Sequence, residues 1–101
     1  MNKAKLVRDK IPAIIEADGQ KPVYHRAEAA EYRQKLIEKL EEEVAEYLVD
    51  NSVEELVDIE EVILALAALA EVTPEELAAK REIKRTARGG FANQIILEAI
   101  E

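Results

Sequence analysis

The sequence predicts an all-α protein, a helical bundle built on one antiparallel helix hairpin. Three observations carry that expectation. Apolar residues recur every three or four positions through Leu36, Ile37, Leu40, Val44, Tyr47 and Leu48, and again through Leu56, Ile59, Val62, Ile63, Leu66 and Leu69, which is the 3.6-residue period of a helix. A short polar stretch, Asp50-Asn51-Ser52, separates the two runs as a turn. Ala, Leu, Ile, Glu and Lys dominate, with only three Tyr and one Phe, as in helix bundles rather than sheets. At 101 residues, positions 1–101 read as a single domain.

Taken in order, Lys3 to Lys10 is a basic arm ending at Pro12, which suits the first turn of a short helix with Asp9 as cap and Gly19 as stop. Gly19 to His25 is a loop or short extended segment around Pro22, and His25 reads as a surface or capping residue. Ala27 to Val49 then forms one long helix, and the next begins after Ser52. From Val62 to Ala70 that second helix is apolar on every side. Such a helix is either central to a compact monomer or covered by another copy, and the small size of the chain favours a homo-oligomer. Thr73-Pro74-Glu75-Glu76 is a helix start with Thr as cap, and the helix runs to Arg88 before Gly89-Gly90. The segment after Gly90 reads as a short strand or a final turn, with Phe91 in the core or against a base.

Composition excludes several classes. A formal net charge of -8 argues against nucleic acid as a general partner. The absence of cysteine excludes a disulfide framework and fits a reducing compartment. The start lacks the apolar core of a signal peptide, and no apolar run reaches the roughly 18 residues of a membrane span. The expectation is a cytoplasmic protein with no membrane partner.

The chemistry lies in the carboxylates. On the first long helix Glu43 borders the apolar stripe beside Leu36 and Tyr47, with Glu46 a turn further along the same flank, whereas Glu38 and Glu42 point to solvent. On the second, Glu55 and Asp58 fall inside the apolar face, where an unpaired anion is costly. Glu55 has two readings, because Ser52 with Glu55 three residues on is also a capping box. Asp58 has no such alternative. Antiparallel packing would gather Glu43, Glu46, Glu55 and Asp58, and four anions that close call for a divalent cation. Hard oxygen donors with no cysteine favour Mg²⁺, or Mn²⁺, over Zn²⁺ or copper. Mg²⁺ on carboxylates usually keeps positions for substrate phosphates, which suggests a phosphate-handling enzyme.

With Glu43-x-x-Glu46 and Glu55-x-x-Asp58 inside Lys39-Leu40-x-Glu42-Glu43 and Glu55-Leu56-x-Asp58, the chain resembles the all-α nucleoside triphosphate pyrophosphohydrolases of the MazG type. The opening Lys5-Leu-Val-Arg-Asp-Lys-Ile-Pro12 and the closing Arg88-Gly-Gly-Phe91 are similar to those of a small single-domain branch described as house-cleaning pyrophosphatases. The resemblance implies Mg²⁺-dependent hydrolysis of a nucleoside triphosphate between its α and β phosphates, by a homodimer or homotetramer. Glu43, Glu46, Glu55 and Asp58 would hold the metal, and Glu42 or Glu46 would take the proton of the attacking water. Arg8, Lys10, Lys39, Lys84 and Arg88 would meet the phosphates, in keeping with five cations against one anion between Lys80 and Arg88. Helix-dipole stabilisation is the simpler account of some of those cations, and a solvated arm is the simpler account of Arg8 and Lys10. Two rivals stand beside this: a phosphoribosyl-ATP pyrophosphohydrolase, and a non-enzymatic helical oligomerisation or regulatory module.

Overall fold

In the computed structural model, which describes residues 4–101, four helices follow one another: α1 (Ile11–Ala17), α2 (Ala29–Asp50), α3 (Val53–Leu69) and α4 (Pro74–Arg88). No strand occurs among the described residues, so the all-α expectation holds and the segment after Gly90 is a turn followed by irregular chain. Lys3, part of the expected basic arm, lies outside the described residues.

Each helix end has a local cause. Asn51 closes α2 in the left-handed conformation at φ 54° and donates its N–H to the Tyr47 carbonyl at 2.7 Å, a conformation that Asn tolerates better than most residues. Ser52, extended, then caps α3 by accepting from the Glu55 N–H at 3.3 Å. At α4 the capping box is complete: Thr73 Oγ1 accepts from Glu76 N–H, and the Glu76 carboxylate accepts from Thr73 N–H, both at 3.1 Å. That backbone bond from Thr73 holds the Glu76 carboxyl below its ordinary range. Thr73→Ala is expected to cost about 1 kcal/mol of stability, read as a lower midpoint in urea with an unchanged slope.

α1 departs from expectation. Its N-cap is Lys10 rather than Asp9, and no side chain caps it. The Ile11 N–H bonds instead to the Arg8 carbonyl at 3.0 Å, so a backbone turn does the work expected of Asp9 and fixes where Arg8 leaves the chain.

α2 and α3 fold back on each other across the two-residue turn, α4 rests on α3 alone, and α1 packs against no other helix. Fully buried apolar side chains are few, Leu36 on α2 and Val62 on α3. Much of the expected stripe is covered only in part, and Leu48 and Leu56 are exposed. Phe91 is 98% exposed, so the core position expected of it is not found; nothing in the chain after α4 packs over it. The molecule is long, 61 × 32 × 24 Å, with a radius of gyration of 17.9 Å against about 13 Å for a compact chain of this length. Its accessible surface, 9229 Å², far exceeds the roughly 5,700 Å² of a compact monomer of this mass.

No helix among the described residues is long and apolar enough to cross a membrane.

Candidate metal centre

The hairpin brings the acidic residues together because both helices present them on the flank that faces the partner helix. Glu43 is buried, at 5% exposure, on the side of α2 turned to α3. Glu55 and Asp58 are half-buried one turn apart on α3. One carboxylate oxygen from each of Glu43, Glu55 and Asp58 can be chosen so that no two lie farther apart than 4.8 Å. Glu42, Glu43 and Glu46 form a second such group along α2, with Glu43 common to both.

Glu43 Oε1 stands 3.4 Å from Lys39 Nζ, one helical turn upstream. Its other oxygen, Oε2, is buried with no hydrogen-bond partner, and so is Glu55 Oε2. A buried carboxylate oxygen without a donor has lost its water and received nothing in exchange. Glu43, Glu55 and Asp58, whose carboxylate oxygens approach within 4.8 Å, have the donor chemistry of a small divalent cation's ligands, which lie about 2.1 Å from Mg²⁺ and hence up to about 4.2 Å from one another. The residues therefore fit a hard metal ion. Glu55 also resolves its two readings in part: Ser52 accepts its N–H, but its carboxylate does not return to the Ser52 backbone as Glu76 returns to Thr73. Its side chain turns toward the cluster instead.

The electrostatics agree. Burial, then the nearby Glu46 and Glu43 carboxylates, push the Glu55 carboxyl up to about 7. A carboxyl raised in the folded state stabilises the metal-free protein below its unfolded value of 4.5, and that contribution is lost as pH rises through about 7. Mg²⁺ must displace that proton, so its stabilising effect has the opposite trend. The rise in melting temperature on adding Mg²⁺ is expected to be large near pH 8 and small near about pH 5.5; equal shifts across the window would remove Glu55 from the ligand set.

The cations are distributed unevenly. Arg8 Nη2 lies 2.6 Å from Asp58 Oδ1, bridging fifty positions of sequence and tying the arm to α3. Lys39 lies between Glu43 and Glu42, 3.6 Å from the latter, which Lys5 also approaches at 4.0 Å. Lys35 Nζ, which sequence reasoning passed over, donates to the Ala4 carbonyl at 3.0 Å and to Glu38 at 3.3 Å, pinning the arm to α2. Its signal was present, since Lys35, Lys39 and Glu43 follow one another at i, i+4 on one face. Lys10 is exposed at the start of α1, and Lys84 and Arg88 are exposed on α4 with no ion pair among the described residues. The single chain thus joins Arg8 and Lys39 to the carboxylates and leaves Lys10, Lys84 and Arg88 apart from them. His25 is exposed and paired with Glu31 at 2.9 Å.

Compared with protein-family models, curated proteins and solved structures, the chain finds no match. The likeness to MazG-type enzymes rests on the motifs alone.

Proposed function

We propose that the chain is a Mg²⁺-dependent nucleoside triphosphate pyrophosphohydrolase, yielding a nucleoside monophosphate and pyrophosphate. The observation that carries this reading is the buried Glu43, one of whose oxygens has no hydrogen-bond partner, grouped with Glu55 and Asp58 within 4.8 Å. That arrangement is costly without a cation and useful with one. The motifs around it resemble those of MazG-type pyrophosphohydrolases, and the house-cleaning branch sets the expectation of a cytoplasmic nucleotide-pool enzyme.

Glu43, Glu55 and Asp58 would hold the ion, with Glu46 on the rim. When bound, the ion supplies charge neutralisation of the triphosphate and acidification of a water. Water forms one new P–O bond as the bridging bond between the α and β phosphates breaks, and its proton passes to Glu46 or Glu42. Glu46 is exposed enough to release that proton to solvent, whereas Glu42 is already engaged by Lys39 and Lys5. Arg8 neutralises Asp58 at 2.6 Å; were Asp58 to hold a cation, the guanidinium would be free for the phosphates, where its planar donors suit oxygen pairs.

The reading includes a homo-oligomer. The excess of exposed area over a compact monomer is about 3,500 Å² per chain, or about 7,000 Å² over a pair, more than the roughly 2,000–5,000 Å² that a permanent homodimer commonly buries over both partners. Leu56, Val57 and Ile63 on α3 and Ile83 on α4 supply apolar surface for it. A second copy would also be the means of bringing Lys84 and Arg88 toward a carboxylate centre.

The test is a panel of standard and modified nucleoside triphosphates with Mg²⁺, scoring pyrophosphate and orthophosphate separately. Pyrophosphate from at least one substrate, abolished by chelation, is the expected result. Silence across the panel by folded protein with Mg²⁺ or Mn²⁺ would overturn it. Turnover of phosphoribosyl-ATP alone would move the reading to that reaction, and Mg²⁺-independent partner binding would move it to a helical module.

A further inference from the structure

A cleft of about 720 Å³ opens between the N-terminal arm, the irregular segment around Tyr24 and the beginning of α2. Tyr24, His25, Arg26 and Tyr32 stand in its wall with Arg8 and Lys35. Tyr24 is 62% exposed and lies outside every helix. His25 is held by Glu31 at 2.9 Å. An aromatic face with a guanidinium and a fixed imidazole beside it is the surface on which nucleobases stack and are read at their edges.

Two links connect this cleft to the carboxylates. Arg8 belongs to the wall of the cleft and reaches Asp58 at 2.6 Å. A second cavity of about 500 Å³ shares Lys5 and Lys35 with the first and continues past Lys39 to Glu42. Along α2 the row Lys35, Lys39, Glu43 lies on one face, and from Tyr32 to Glu43 the helix rises about 16 Å, close to the reach of an extended nucleoside triphosphate.

We infer that the cleft takes the nucleoside end of the triphosphate, with the base on Tyr24 and the phosphates running past Lys35 and Lys39 to the carboxylate centre. This rests on the nucleotide reading above and adds to it a direction and a specificity surface: the substrate lies along α2 with its base toward the N-terminus of that helix. Tyr24 and the His25–Glu31 pair then determine which bases are accepted. Lys35 and Lys39 act on phosphate oxygens and are indifferent to the base.

The experiment measures binding to the full chain with Mg²⁺, by calorimetry, of a non-hydrolysable α,β-methylene nucleoside triphosphate and of inorganic tripolyphosphate, which has no base. Tyr24→Ala is expected to weaken the nucleotide analogue by about ten- to a hundred-fold and tripolyphosphate by less than about two-fold. Tyr24→Phe, which keeps the ring, should bind the analogue within about three-fold of the natural chain. Because Tyr24 is exposed and irregular, helix content should be the same in all three. Tyr24→Ala binding the analogue as the natural chain does, or losing both ligands alike, overturns the inference. Binding that depends on Tyr24 without turnover of any natural triphosphate leaves the cleft standing and removes the hydrolytic reading. A natural chain that binds neither ligand removes both.

Discussion

Asp58→Asn is expected to lower Mg²⁺-dependent turnover on the order of a thousand-fold while leaving the helices intact. The substitution preserves size and keeps an oxygen for Arg8 but removes the anionic donor that completes the group with Glu43 and Glu55. The fold should not notice. The Arg8 and Asp58 side chains are 53% and 39% exposed, and an ion pair that open to solvent contributes less than about 1 kcal/mol. The measurement pairs initial rates at saturating Mg²⁺ with far-ultraviolet circular dichroism. A folded Asp58→Asn protein at full activity would sink this metal centre.

Glu43→Leu should separate stability from function in the opposite direction. In the metal-free chain Glu43 is 95% buried, with one oxygen on Lys39 and the other unpartnered. Replacing such a carboxylate with an apolar side chain of similar length removes a desolvated charge and adds apolar packing at a buried position of α2. A gain of about 1–2 kcal/mol in unfolding free energy is expected without Mg²⁺. Lys39 keeps Glu42 as a partner and can extend its ammonium to water. Added Mg²⁺, which should raise the stability of the natural chain, should then do nothing. A Glu43→Leu protein that is less stable and still responds to Mg²⁺ would show that Glu43 serves the fold rather than an ion.

The helix ends were legible where side chains write them. Thr73, Pro74 and Glu76 open α4 and Gly89 closes it as their spacing requires, and Asn51-Ser52 divides the hairpin. The carboxylates were legible too, because helical spacing alone puts Glu43, Glu55 and Asp58 on apolar flanks. Spacing could not rank Glu43 above Glu46, which are some 60° apart on α2; only the position of α3 decides that one is buried and the other exposed. Nor could it show that Arg8 bonds Asp58, since that contact joins an irregular arm to a helix fifty residues later. Periodicity marks which face is apolar and says nothing of what covers it, hence the exposure of Leu48, Leu56 and Phe91. The Tyr24 cleft was invisible for a related reason: its walls come from segments without periodicity.

The connection between α2 and α3 consists of Asn51 and Ser52 alone, the shortest in the chain. Loops are ordinarily where a protein lengthens and shortens freely. Here a residue inserted on the α3 side of the turn, between Asp58 and Val62, would swing both α3 carboxylates by about 100° relative to the buried Val62 and scatter the donors, although every side chain were retained. The hairpin can therefore accept many substitutions and almost no change of length.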